Sequence, residues 1–565
     1  MKPFVLFILF LTFGLHASAQ NFQLKLIGSS ESENKTIDSL NYNTNHKNLK
    51  SIVDELTTAT EKLSKMGYLE NQMLENSKKN DSSYIAKFRL GERINTIHIY
   101  IGRNQEIKKL ISLDKKKDTI TLPYSKIESF LSQTLQKLEE NGFSLAKLKL
   151  INIQKTNNSL YTELEFKPDR QRQLNSIVVK FADSDKKNTF PEGHLAQLNR
   201  KYHNNTFNQD VVGRIHDDFE KFRFVSQVKY PEILFTKDTT KVFVYLDKRK
   251  SNTFDGYIGF TNNENNKIRL NGYLDVTLEN TLRVGEQFSL YWKSDGNNQK
   301  TFMTRVELPY LFKSPLSLKA QINIFKQDST FQNTKTAIDL GYFIDYNTRI
   351  YMGYQTTESS DIQNKNNKTL SDYTNSYLTT NLEYSKFDYT NSNFPEKSNL
   401  SLNIGIGKRA TNDFGIVAGT SKQFYISLHA MYNFYLNQKN CININYHNYF
   451  LKSDTYVISE LFRFGGSNSM RGFAENSLQA NFMTALQTEY RYIVSPSLYI
   501  HSIIDYGYYQ DDSTKNKGNL IGLGLGIGLN TKNGVLKLGF ANGSFKNQEV
   551  KLYNTIIHIN YSIKF

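Results

Sequence analysis

A single cysteine, Cys441, excludes an internal disulfide, a cysteine-ligated zinc site and a lipidated N-terminal cysteine. There is one tryptophan, and nine prolines are few for 565 residues. Beyond the N-terminus no apolar run approaches the roughly 18 residues that a spanning helix needs. No nucleophile elbow, metal-spaced histidine cluster or phosphate-binding glycine loop occurs, and the ten histidines are scattered. An enzyme, a metal site and a cofactor are therefore not expected. Lys+Arg 70 against Asp+Glu 54 gives a net charge of +16, but the lysines are dispersed among asparagines. That pattern reads as solvated surface, and no nucleic-acid partner is expected.

What the chain has instead is aromatic residues, 35 Tyr and 38 Phe. Its mean hydropathy is nonetheless −0.53. Aromatic yet hydrophilic on average fits a barrel that shows lipid at every second residue and water at the others. The length predicts several domains. Lys2, the apolar run Phe4 to Leu15 and Ala17-Ser18-Ala19 predict a signal peptide over residues 1–19, so the mature chain is expected to be exported. An exported chain without spanning helices can still cross a membrane as a closed barrel.

Residues 20–250 repeat, with units expected at 20–92, 93–172 and 173–250. Each opens with a strand: Phe22–Ile27, Ile94–Ile101 and Leu174–Phe181. A helical stripe follows. It comprises Leu49, Ile52, Val53, Leu56 and Leu63 in the first unit. Ile127, Phe130, Leu131, Leu135 and Leu138 form it in the second, and Val211, Ile215, Phe219 and Phe222 in the third. Two stripes end in a glycine cap followed by an aromatic, Gly67-Tyr68 and Gly142-Phe143. Alternating strands close each unit at Ser83–Leu90, Tyr161–Phe166 and Lys241–Leu246. This strand, helix and closing-strand module resembles the POTRA domain, the periplasmic module of outer-membrane assembly proteins. The resemblance implies capture of client polypeptides as strands added to sheet edges.

From residue 251 to 565 the period changes to two. Strands are expected near 254–262, 266–278, 282–293, 299–310, 315–327, 333–344, 348–358, 374–387, 397–409, 422–435, 439–452, 478–492, 496–509, 519–530, 533–545 and 551–565. Those sixteen predict an even-numbered antiparallel transmembrane barrel. Lys532-Asn533-Gly534 marks a tight turn, while 359–373 and 388–396 read as long outer loops. In the run from Leu520 to Leu529, Ile521, Leu523, Leu525, Ile527 and Leu529 alternate with Gly522, Gly524, Gly526 and Gly528. Apolar side chains are expected to face lipid, with bare backbone leaving room inside. Tyr561, Ile563 and Phe565 end the chain on an apolar face. A final strand of this kind resembles the barrel signal of outer-membrane proteins, although a soluble edge strand reads the same.

Between the eleventh and twelfth expected strands lies Phe464-Gly465-Gly466-Ser467-Asn468-Ser469-Met470-Arg471-Gly472-Phe473. Taken alone, this is equally a surface hairpin with a solvated arginine. Parity places Gln487, Glu489 and Arg491 on the inward face of the twelfth strand, and Asp505 and Gly507 inward on the thirteenth. A guanidinium inside a barrel needs such carboxylates to pair with. Met470-Arg471-Gly472-Phe473 resembles the Val-Arg-Gly-Phe/Tyr signature of the BamA/TamA superfamily, with methionine for the usual valine. Asp505-Tyr506-Gly507 resembles the family's Asp-x-Gly element. The resemblance implies a loop folded into the lumen, with Arg471 gripped by Glu489 and Asp505. With three modules the chain resembles TamA more than BamA, which usually carries five.

The resemblance further implies an outer-membrane protein that inserts or translocates client proteins without ATP, through a lateral seam between first and last strands. Gly256 and Gly259 would weaken that seam. Implied partners are outer-membrane lipid and lipopolysaccharide, unfolded outer-membrane or secreted clients, and a periplasmic or inner-membrane accessory protein. A dedicated two-partner secretion transporter and a passive porin-like channel stay open as alternatives.

Overall fold

The structure, a computed structural model, describes residues 22–565 except 81, 103–104, 111–116, 182–189, 263–267, 295–298, 364–370, 412–418, 532–533 and 546–553. The expected signal peptide and the Lys532-Asn533 turn lie outside the described residues. The chain forms two compact units. One runs to Leu174 and takes in Asn204–Val211; the other comprises Asn175–His203 and Val212–Phe565.

The first unit holds two four-stranded sheets. In each, the opening strand lies parallel to the closing one: Phe22–Gly28 beside Ser83–Arg89, and Thr96–Tyr100 beside Ser159–Lys167. A parallel pair needs a crossover, and helices supply it. Leu49–Lys65 buries Ile52, Leu56, Ala59 and Leu63. Leu49 and Val53 are half exposed, so the buried stripe is narrower than the expected one. Gly67 and Gly142 adopt φ of 104° and 90°. Behind them Tyr68 and Phe143 donate backbone N–H to Leu63 and Leu138, at 3.0 and 2.9 Å. A second helix in the first module, Glu31–Asp38, buries only Ile37, so its sequence carries no stripe to read.

The second unit contains the third sheet, where Ser176–Phe181 again runs parallel to Thr240–Lys248. It also contains a closed barrel of sixteen antiparallel strands, from Thr253–Asn262 to Ile556–Lys564. The sixth barrel strand shows the two faces. Ile338, Leu340 and Tyr342 are 62%, 51% and 51% exposed, while Asp339 between them is 5% exposed. The outer face is apolar and the inner face polar, as lipid outside requires.

Two expected boundaries move. The twelfth strand begins at Phe482, because Leu478–Ala480 pairs with Phe462–Phe464 as a small hairpin inside the preceding loop. The alternation is continuous across both pieces, so period alone cannot separate them. Residues 282–286 form a turn, with Arg283 and Gly285 at positive φ. One loop changes side. The connection 388–395 follows the eighth strand and so lies at the end where the barrel joins the third module, not outside. There Tyr389 lies under Arg249, with the guanidinium carbon 3.6 Å from the ring centre.

The third module rests on the turns at this end. His194 is buried, its ring centre 4.6 Å from that of Tyr310 and 5.5 Å from that of Tyr346. A side chain on Gly285 would collide with His194 Nε2, so glycine makes the socket. Arg223 reaches Glu279 at 3.0 Å and Lys221 reaches Asp345 at 3.1 Å.

Candidate functional site

The loop between the eleventh strand, Asn440–Ser453, and the twelfth turns into the barrel. Its tip is tied to itself. Gly465, Gly466 and Gly472 take φ of 112°, 89° and 85°, a region open to glycine. Ser469 Oγ accepts from Gly465 N–H at 2.8 Å, and Gly466 N–H donates to the Phe473 carbonyl at 3.0 Å. Met470 is fully buried against Phe464, Met483 and Leu520, with Phe473 at the edge of the same cluster.

This packing aims Arg471 at the wall. Its Nε donates to Asp505 Oδ2 at 2.9 Å and its Nη2 to Oδ1 at 2.5 Å, a two-pronged fork. Its backbone N–H donates to Asp505 Oδ2 at 3.1 Å. Nη1 donates to Glu489 Oε1, and Nη2 also reaches the Thr488 carbonyl at 3.3 Å. The Arg471 side chain is 8% exposed and that of Asp505 0%. Glu489 has a second partner, Arg491, at 2.6 Å. The structure thus brings Arg471, Glu489 and Asp505 together.

Glycines of the wall make room for this loop. A side chain on Gly522 would strike the Arg471 carbonyl, one on Gly543 the Gly472 carbonyl, and one on Gly507 would touch the Met470 sulfur. The glycine stripe of the fourteenth strand therefore has several occupants. Gly522 admits the loop, while Gly526 and Gly528 admit His501 and Tyr499.

Two further anchors hold the loop. Glu460 pairs with Arg409 of the ninth strand, both nearly fully buried. Glu475 reaches Lys293 of the third strand at 3.2 Å. Parity carried the signal for Arg409, which shares the inward face of Gly405 and Gly407, while Ile406 faces outward.

The seam differs from the other junctions. The first and last strands pair over three residues: Thr253 with Lys564, Phe254 with Ile563, and Asp255 with Ser562. Every other neighbouring barrel pair is in register over at least eight. The Phe565 N–H donates to the Asn252 carbonyl at 3.0 Å, beyond the paired stretch. Ile557, Ile559 and Phe565 are exposed on the outer face, with Tyr561 and Ile563 partly so. His558, Asn560 and Ser562 line an inner cavity of about 640 Å³ with Arg471 and Glu489.

A closed sixteen-strand barrel, apolar outside and filled by an inward loop, with α/β modules built on a parallel strand pair before it, defines an outer-membrane barrel protein with periplasmic POTRA-like domains. The Omp85 superfamily domain matches residues 280–565, and the chain belongs to the Omp85 superfamily. Solved structures of CdiB share its fold. CdiB from Acinetobacter baumannii is 12% identical, with 84% of this chain and 90% of that one covered and a TM-score of 0.51. CdiB from Escherichia coli is 13% identical over 91% and 97%, with a TM-score of 0.50. BamA from Haemophilus ducreyi lacking POTRA domains 1-3 is 14% identical over 82% and 99%, with a TM-score of 0.47. No curated protein matches the chain.

Proposed function

We propose that this protein inserts or translocates client polypeptides at the outer membrane, taking them up on POTRA-like sheet edges and passing them through the seam. The observation that carries the reading is the three-residue closure between first and last strands. Beyond Asp255 the first strand continues to Asn262, and before Ser562 the last strand reaches back to Ile556, without a further ladder pair among the described residues. An unpaired edge in hydrocarbon costs several kcal/mol per backbone group. A client strand that satisfies both edges removes that cost, so exchange of strands needs no ATP. Gly256 sits where pairing stops, and a side chain there would run into the Tyr273 carbonyl. In this reading Arg471 fixes the loop against Asp505 and Glu489, keeping the wall near the seam in shape. Clients, outer-membrane lipid with lipopolysaccharide, and an accessory periplasmic or inner-membrane protein are the partners it implies.

The test is a lock. Phe254→Cys with Ile563→Cys, in a Cys441→Ser background, places a disulfide across the seam. Oxidised protein is expected to lose client insertion and to regain it on reduction. Full activity of the oxidised form would refute the reading. A census of outer-membrane proteins after depletion then separates general assembly, with broad loss of barrels, from a dedicated transporter, with loss of one exported protein.

A further inference from the structure

Asp255 is the last residue of the first strand to pair with the last strand. One rung further the ladder stops, yet the Tyr561 N–H is not bare. It donates to Asp255 Oδ1 at 3.2 Å. The same oxygen accepts from the Tyr273 hydroxyl at 2.5 Å. Tyr273 belongs to the second strand, Ile268–Glu279. One carboxylate therefore ties the first, second and last strands.

Its neighbours set it against its own hairpin. Asp275 stands directly opposite Asp255 in the register of the first two strands, and both line the inner cavity. Like charges directly opposed weaken a cross-strand pair. Across the seam the same carboxylate meets a donor, the Tyr561 N–H. Gly256 follows immediately with φ of 156°, so the strand departs from ordinary geometry one residue past the contact.

We propose that Asp255 is the latch of the seam, its carboxylate standing in for the first missing rung. Breaking that contact frees the Tyr561 edge for an incoming extended polypeptide. The inference deepens the function proposed above and rests on it. Asp255 acts as a positioning residue, through the strands it joins.

The full chain in outer membranes, as Cys441→Ser with Phe254→Cys and Ile563→Cys, reports seam closure by its oxidised yield. Loss of a charge-assisted hydrogen bond is expected to raise the open population about tenfold in Asp255→Ala. Asp255→Asn keeps an accepting oxygen and is expected to restore most of the yield. A control pair at another junction, Ser427→Cys with Tyr449→Cys, is expected to be unmoved. A wild-type seam yield in Asp255→Ala overturns the latch, as does an equal fall in the control pair. Should Asp255→Ala fail to reach the membrane, Asp255→Leu, close in shape and without an acceptor, carries the test. Its yield is expected to fall as in Asp255→Ala, and an unchanged yield again overturns the latch. Client insertion is read separately. An opened seam with no effect on clients leaves the latch standing and defeats the insertion reading, whereas an unmoved seam defeats the latch alone.

Discussion

Arg471→Ala deletes a side chain that meets two carboxylates and a carbonyl. The larger consequence is what it leaves behind. The Asp505 side chain has no exposure, so its charge loses its partner without gaining water. Breaking a buried pair from one side costs about 3–5 kcal/mol. At about 1.4 kcal/mol per tenfold, a displaced loop tip becomes more populated by a factor of roughly one hundred or more. The Arg409–Glu460 pair remains, so release is expected in the Gly466–Glu475 stretch and not at the base of the loop. Limited proteolysis of the folded protein in detergent reads this directly, with new cleavage confined to that stretch. Arg471→Lys is expected to recover only part of the effect, because an ammonium cannot fork onto Asp505. Asp505→Asn is expected to loosen the loop more than Glu489→Gln, since Asp505 takes the Arg471 Nε, Nη2 and backbone N–H while Glu489 takes Nη1 alone. Wild-type cleavage and wild-type heat resistance in Arg471→Ala would refute the reasoning.

Arg409→Ala strands a buried Glu460, so the base of the loop is expected to open, with cleavage near Asp454–Glu460 and a loss of about 3–5 kcal/mol in chemical unfolding. His194 gives a pH dependence. Burial first, then the charge of Arg349, lowers its pKa from 6.5 to about 3. The folded state therefore holds fewer protons than the unfolded one between those values, and stability falls as pH drops below 6.5. Between pH 7.5 and 5.5 the loss is about 1.4 kcal/mol, read as faster proteolysis of the third module. His194→Phe is expected to abolish that slope.

The barrel was legible because lipid imposes a strict period of two, and the count of sixteen strands followed. Parity along the twelfth and thirteenth strands put Glu489 and Asp505 on one face without any knowledge of the loop. The same parity applied to the ninth strand would have found Arg409. Its partner Glu460 sits on a short 3-10 turn with no period, so nothing in the sequence paired them. The helix Glu31–Asp38 was hidden for a similar reason, since a single buried residue makes no stripe. The length of the 388–395 connection points to the outer face, yet it follows the eighth strand and lies at the inner end. Strand count overrides length, and the contact with Arg249 explains why a long turn occurs on the inner side. The seam latch depends on where the ladder stops, and register is a property of two strands that neither sequence carries alone.

The third module grips the barrel through Gly285, Tyr310, Tyr346 and Tyr389, which belong to the connections between the second and ninth strands. On the proposed reading that half of the wall is the fixed door frame, with the first strand joined to it through the chain itself. The last strands carry none of these four footholds. If the doorway widens, the moving leaf is the C-terminal side, swinging against a jamb that the periplasmic arm holds still.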